Sequence, residues 1–163
     1  MSNNLDDPRF TAYGLFAEAY AGLTARFAAQ FEEHRLSAVE FEVLLRLARS
    51  PGRRLRMTDL AGQTSLSTSG VTRVVDRMDR DGLVRREACA SDRRSSYAVI
   101  TDDGLARLAE AVPGHLALMQ EWFIGQLTPE QLTGLLESLR KVRDAVNPCA
   151  TAGSNESAPA EAA

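Results

Sequence analysis

Residues 67–83 read STSGVTRVVDRMDRDGL, and the fold turns on them. Ser67 is a helix-capping residue, the apolar positions Val71, Val74, Val75 and Met78 recur every three or four residues, and Gly82 supplies a C-terminal stop. This predicts a helix that buries one stripe and turns Thr68, Ser69, Thr72, Arg73, Asp76 and Arg77 outward. Upstream, Thr58 is expected to cap a short helix with Leu60 and Ala61 inward, and residues 62–66 read as the turn between the two helices. Downstream, residues 83–89 and 96–100 alternate as two strands of a hairpin, with residues 90–95 as its polar tip.

Working outward, Asp7 caps and Pro8 opens a first helix that runs to about Glu33, with Tyr13, Phe16, Tyr20, Leu23, Phe27 and Phe31 on one stripe. Ser37 and Glu40 have capping-box spacing, and Leu36 is placed to staple against Phe41 at the start of a second helix that buries Phe41, Leu44, Leu45 and Ala48. The SPGR run at 50–53 breaks the chain. After the hairpin, Thr101 starts a long helix through Leu105, Leu108, Val112, Leu116 and Met119, which Pro113 should kink. Thr128-Pro129-Glu130-Gln131 is a second capping box, opening a last helix with Leu135, Leu136, Leu139 and Val142 on its apolar face to about Val146. The rest, NPCATAGSNESAPAEAA, has no apolar period and should be a disordered tail at 147–163.

These elements give a mainly α fold with a small β-hairpin wing: a single winged helix-turn-helix domain over 1–146. Its DNA-binding lobe is expected at 53–100, and its dimerisation helices at 8–33 and 101–146. Apolar stripes this rich at both ends of a 163-residue chain have little else to bury against, so a homodimer is expected. No stretch approaches the roughly 18 apolar residues of a membrane span, and the polar, acidic start MSNNLDDPRF is unlike a secretory signal. Cys89 and Cys149 lie far apart in dissimilar contexts, so no disulfide framework is expected and a reducing cytoplasm fits.

The net charge of −3 speaks against nucleic acid, but its distribution reverses that. Residues 53–94 hold ten arginines against six acids, and the remainder holds nine basic residues against sixteen acids. A basic middle between acidic ends suits a local phosphate-binding surface. Ser67, Thr68, Ser69 and Thr72 are small enough to let the helix end approach the floor of a major groove. Arg73 has the reach for a bidentate contact to guanine, and Arg77, one turn on, for a phosphate.

Asp92-Arg93-Arg94 followed by Ile100-Thr101-Asp102-Asp103-Gly104 forms a D-x-R…T-x-x-G pattern that resembles the wing, and the helix after it, of the MarR (multiple antibiotic resistance regulator) family. Thr58-Asp59-Leu60-Ala61 is similar to that family's helix-turn-helix entry, and residues 71–78 with Gly82-Leu83-Val84 to its recognition helix and exit. The resemblance implies a ligand-responsive repressor binding a pseudo-palindromic operator in double-stranded DNA. It makes Arg94 the residue inserted in the minor groove, Asp92 its positioner and Arg93 a phosphate contact. The same chemistry is available from the residues: a hairpin arginine suits a narrow, electronegative groove, and a carboxylate two residues earlier can hold its guanidinium. The resemblance also implies an effector pocket, for a small aromatic or anionic molecule, lined by Phe16, Tyr20 and Phe41, with Arg26 or Arg46 available to a carboxylate.

Other chemistry finds little support. His34 and His115 have no catalytic partner pattern, and phosphate-loop, dinucleotide and H-E-x-x-H motifs are missing, so neither an enzyme, a metal nor a cofactor is expected. Cys89, at the end of the first wing strand, reads as a partly buried inert thiol. The rival for the same residues is a winged helix retained as a sensor or protein-interaction module, against which the basic middle and the Arg93-Arg94 tip speak.

Overall fold

The computed structural model describes residues 4–64, 66–89, 92–148 and 150, with the side chains of residues 4, 89 and 92–94 outside that description. The long helix α1 (Pro8–Glu33) starts at Asp7, whose carboxylate accepts from the Arg9 amide. At α2 (Ala38–Arg49) both halves of the Ser37/Glu40 box are formed, and Leu36 and Phe41 are both buried. Then come a short strand β1 (Arg54–Arg56), α3 (Met57–Thr64), α4 (Thr68–Arg80), the strands β2 (Val84–Cys89) and β3 (Asp92–Ile100), α5 (Asp102–Trp122) and α6 (Pro129–Val146).

Four features depart from the sequence expectations. β1 makes a third strand, in the order β1-β3-β2, with Leu55 opposite Ala98. It feeds straight into α3, which begins at the buried Met57, so Thr58 sits inside the first turn and is not its cap. The helix also extends through Gly62 to Thr64, whose hydroxyl donates to the Leu60 carbonyl at 2.7 Å, which shortens the expected turn. β3 begins at Asp92, not Ser96, so the backbone of Asp92-Arg93-Arg94 belongs to a strand and not to a loop, and a bulge between Ala88 and Cys89 absorbs the register change. The helix α5 continues through Pro113, as its expected length requires. Pro113 and Ala109 are both exposed, so the carbonyl that loses its helical partner is on the solvent side.

One core unites these elements. Val43, Leu44 and Leu47 of α2, Leu60 of α3, Val71, Val75 and Met78 of α4, and Val84 and Ala98 of the sheet are fully or almost fully buried. The N-terminal half of α1 is different: Phe10, Tyr13, Phe16 and Tyr20 are all more than half exposed, and α6 has no buried residue among those described. The proposed tail falls outside the described residues except for Asn147, Pro148 and Ala150.

Candidate DNA interface and effector cavity

The buried stripe of α4 fixes which side chains remain outside. Ser67 caps the helix by accepting from the Gly70 amide at 3.1 Å, and Ser67, Thr68 and Ser69 are exposed at its N-terminal end. The Thr72 hydroxyl donates to the Thr68 carbonyl at 2.9 Å, so outward it offers a lone pair and a methyl group. Arg73 is exposed; its Nε donates to the Ser69 carbonyl at 3.3 Å, and its terminal nitrogens have no partner among the described residues. A guanidinium held by Nε with its two outer nitrogens open is arranged for bidentate recognition of a base edge.

Arg77 is exposed on the same face and has a partner outside its own helix. Its Nε donates to Glu40 Oε1 at 2.7 Å, across to α2, so the side chain is anchored while about half of it stays exposed. Glu40 is buried, and its second oxygen accepts from the Ser37 amide and hydroxyl, both at 2.8 Å. Burial pushes the Glu40 carboxyl up, but the Ser37 and Arg77 donors outweigh it and hold the group below the usual carboxylate range. On the other side of α4, Asp76 pairs with Arg86 of β2 at 2.7 Å, which ties the wing to the helix. Sequence reading gave Glu40 only its local cap and missed Arg86; both partners are remote in sequence, and no short-range pattern signals them. The side chains of Asp92, Arg93, Arg94 and Cys89, with the roles expected of them, lie outside the described residues.

A cavity of about 490 Å³ opens behind α2, lined by Phe31, Phe41, Leu45, Leu55 and His115 with Glu42, Arg46, Arg49 and Gln63. Its size and its mix of aromatic walls and a few charges suit a small molecule. Of the three expected pocket residues only Phe41 lines it. Phe16 and Tyr20 are exposed further up α1, on the half of the helix that leaves the core. Arg46 is on the wall, where Glu42 pairs with it at 3.2 Å, whereas Arg26 lies 3.6 Å over the Trp122 ring and away from this cavity. His115 packs against Phe27, Phe31 and Phe41, and its Nδ1 is buried without a partner among the described residues.

The model of the MarR family matches residues 36–95, which run from the start of α2 through the helix-turn-helix into the wing. The HTH-type transcriptional regulator YkoM of Bacillus subtilis is 31% identical over 130 residues, covering 79% of this chain and 82% of its own. The chain belongs to the MarR family of transcriptional regulators. Among solved MarR-family structures, Sco3205 of Streptomyces coelicolor, in complex with DNA, superposes with a TM-score of 0.81 at 34% identity, over 85% of this chain and 87% of that one. BpsR of Bordetella bronchiseptica, whose DNA binding is regulated by 6-hydroxynicotinic acid, superposes with a TM-score of 0.72 at 27% identity, over 80% and 91%. The winged helix is therefore that of a MarR-family regulator, and the T-x-x-G signature has a visible job in it. Thr101 Oγ1 donates to the Gly82 carbonyl at 2.6 Å and accepts from the Gly104 amide at 3.0 Å, which locks the turn after α4 to the start of α5.

Proposed function

We propose that this MarR-family regulator is a homodimeric repressor that reads a pseudo-palindromic operator and releases it when a small aromatic anion fills the cavity. The observation that carries the reading is the exposed end of α4, where Ser67, Thr68 and Ser69 lie one turn ahead of an exposed Arg73 whose outer nitrogens have no partner among the described residues. The lobe 53–100 supplies the reading head, with α4 for the major groove and Asp92-Arg93-Arg94 at the outer end of β3 for the minor groove and its phosphates. The DNA complex of Sco3205 supports this use of the fold. Dimerisation through 8–33 and 101–146 is supported by the apolar side chains left exposed on α1, α5 and α6. The effector reading rests on the cavity and on the regulation of BpsR by an aromatic acid, with Phe41, Phe31 and His115 for a ring and Arg46 and Arg49 for a carboxylate.

The test is selection of bound fragments from a randomised duplex pool, followed by anisotropy titration of the enriched duplex with and without benzoate. A two-fold symmetric site with half-site centres about one helical turn apart, and weaker binding in benzoate, is the expected result. If no sequence is enriched over the starting pool, the winged helix serves as a sensor or protein-interaction module instead.

A further inference from the structure

We propose that Glu40 is a positioning residue for DNA reading: through Arg77 it sets the recognition helix α4 against α2, so that sequence discrimination depends on a carboxylate that never meets DNA. The proposal rests on the reading of α4 as the DNA-reading helix. The geometry is specific. Glu40 uses its two oxygens for different partners, Oε1 for Arg77 Nε at 2.7 Å and Oε2 for the Ser37 amide and hydroxyl at 2.8 Å. One carboxylate thus fastens the first turn of α2 and the last turn of α4 together, at a residue only 8% exposed. The bond to Glu40 uses Nε, on a side chain still 49% exposed. Arg86 grips Asp76, the residue before Arg77, from the wing side. The helix is pinned from both flanks at adjacent residues, one turn beyond Arg73. A buried, charge-assisted anchor of this kind restricts rotation of the helix about its axis more than the apolar stripe does, since aliphatic contacts are not directional.

Simple electrostatics and positioning predict opposite signs. Removing a negative charge close to a phosphate-binding surface should tighten binding to any duplex. Removing an anchor should weaken binding where base edges are read and leave phosphate binding alone. Glu40→Gln separates the two. Glutamine has one acceptor oxygen where glutamate has two, so it cannot serve Arg77 and the Ser37 amide together.

The experiment measures affinity for the duplex enriched by the wild-type protein and for an unrelated duplex of equal length, at one salt concentration. Glu40→Gln is expected to lose about tenfold on the enriched duplex and nothing on the unrelated one, which lowers the ratio between them. On an Arg77→Met background the same substitution should have no further effect on that ratio. Ser37→Ala, which weakens the cap without touching Arg77, should lower the melting temperature and keep the ratio. Should Glu40→Gln not fold, Glu40→Asp carries the same test, because it keeps the charge and both oxygens but shortens the reach by one methylene. An unchanged ratio in the Glu40 variants, or an equal fall in Ser37→Ala, overturns the proposal. A loss that persists undiminished in Arg77→Met does the same. A wild-type protein that enriches no sequence sinks the DNA reading along with it, whereas an unchanged ratio sinks the proposal alone.

Discussion

His115 shows how far a residue's environment escapes its sequence context. Nothing around it in α5 marks it as special, yet the fold brings three phenyl rings from α1 and α2 to within 5 Å of its ring. Burial there pushes its imidazole below the ordinary value of 6.5, because a charged ring would sit among phenyl groups, with no partner for Nδ1 among the described residues. The consequence for stability has a definite sign. Below about pH 6.5 the unfolded chain takes up a proton at this position that the folded chain resists, so stability is lost as the pH falls. His115→Phe removes that loss while preserving the aromatic packing. Thermal melts at pH 7.5 and 5.5 should therefore show a smaller drop for the variant than for the wild type, and equal drops would mean that the ring is protonated in the fold. The outward exposure of Arg73 was legible because it follows from the local period of α4. If it reads a base, Arg73→Ala should cost about 1–3 kcal/mol on the enriched duplex and less on an unrelated one. An equal loss on both would make it a phosphate contact. The Glu40 anchor of Arg77 was not legible, because that partner is 37 residues away.

At the scale of elements, what could be read was what is settled within one turn. The caps at Ser37, Ser67, Thr101 and Thr128 all place a side-chain oxygen on the backbone three residues ahead, so spacing alone announces them. β1 was missed because three residues of RLR carry no period, and its partner strand lies more than forty positions downstream. The joint between β3 and α5 falls between these cases. The pattern T-x-x-G is visible, but the reason for its glycine is not. Gly104 is buried against the Leu83 backbone, and a Cβ there would collide with the Leu83 carbonyl and press on Ile100. Both ends of that contact are fixed, since the Thr101 amide donates to the same Leu83 carbonyl at 3.1 Å and the Thr101 hydroxyl holds the Gly82 carbonyl. Gly82 itself has φ +73°, a conformation that suits glycine. Gly104→Ala should thus cost about 1–3 kcal/mol, the usual range for overpacking, despite alanine's better helix propensity. Denaturant unfolding checks this, and a neutral or stabilising result would mean that α5 can shift away from the wing turn freely.

For the whole molecule, the decisive fact is an imbalance: the lobe around α4 is closed over its core, while the long helices are not. Phe10, Tyr13, Phe16 and Tyr20 stand between 54% and 72% exposed along α1, and Val142 and Val146 at 60% and 76% along α6. A monomer rarely leaves a run of aromatic side chains in water, and a second copy offers the same helices in return, which is what a two-fold interface requires. Sedimentation at tens of micromolar should give about twice the 17.8 kDa chain mass. The sharper prediction concerns a charge placed in that face. Phe16→Asp, at an exposed position of the isolated chain, removes no core contact, so the variant should keep its helical signal and its melting cooperativity. As half of a symmetric pair it introduces two like charges into one apolar contact, and the dimer should dissociate. Each freed lobe would then meet a single half-site. The variant should bind the enriched two-fold duplex far more weakly than the wild type, and no better than a duplex with one half-site scrambled, because the second half-site no longer adds its effective concentration. A folded Phe16→Asp protein that remains dimeric and binds the duplex normally would place the interface elsewhere and leave the exposed aromatic face of α1 without a role in assembly.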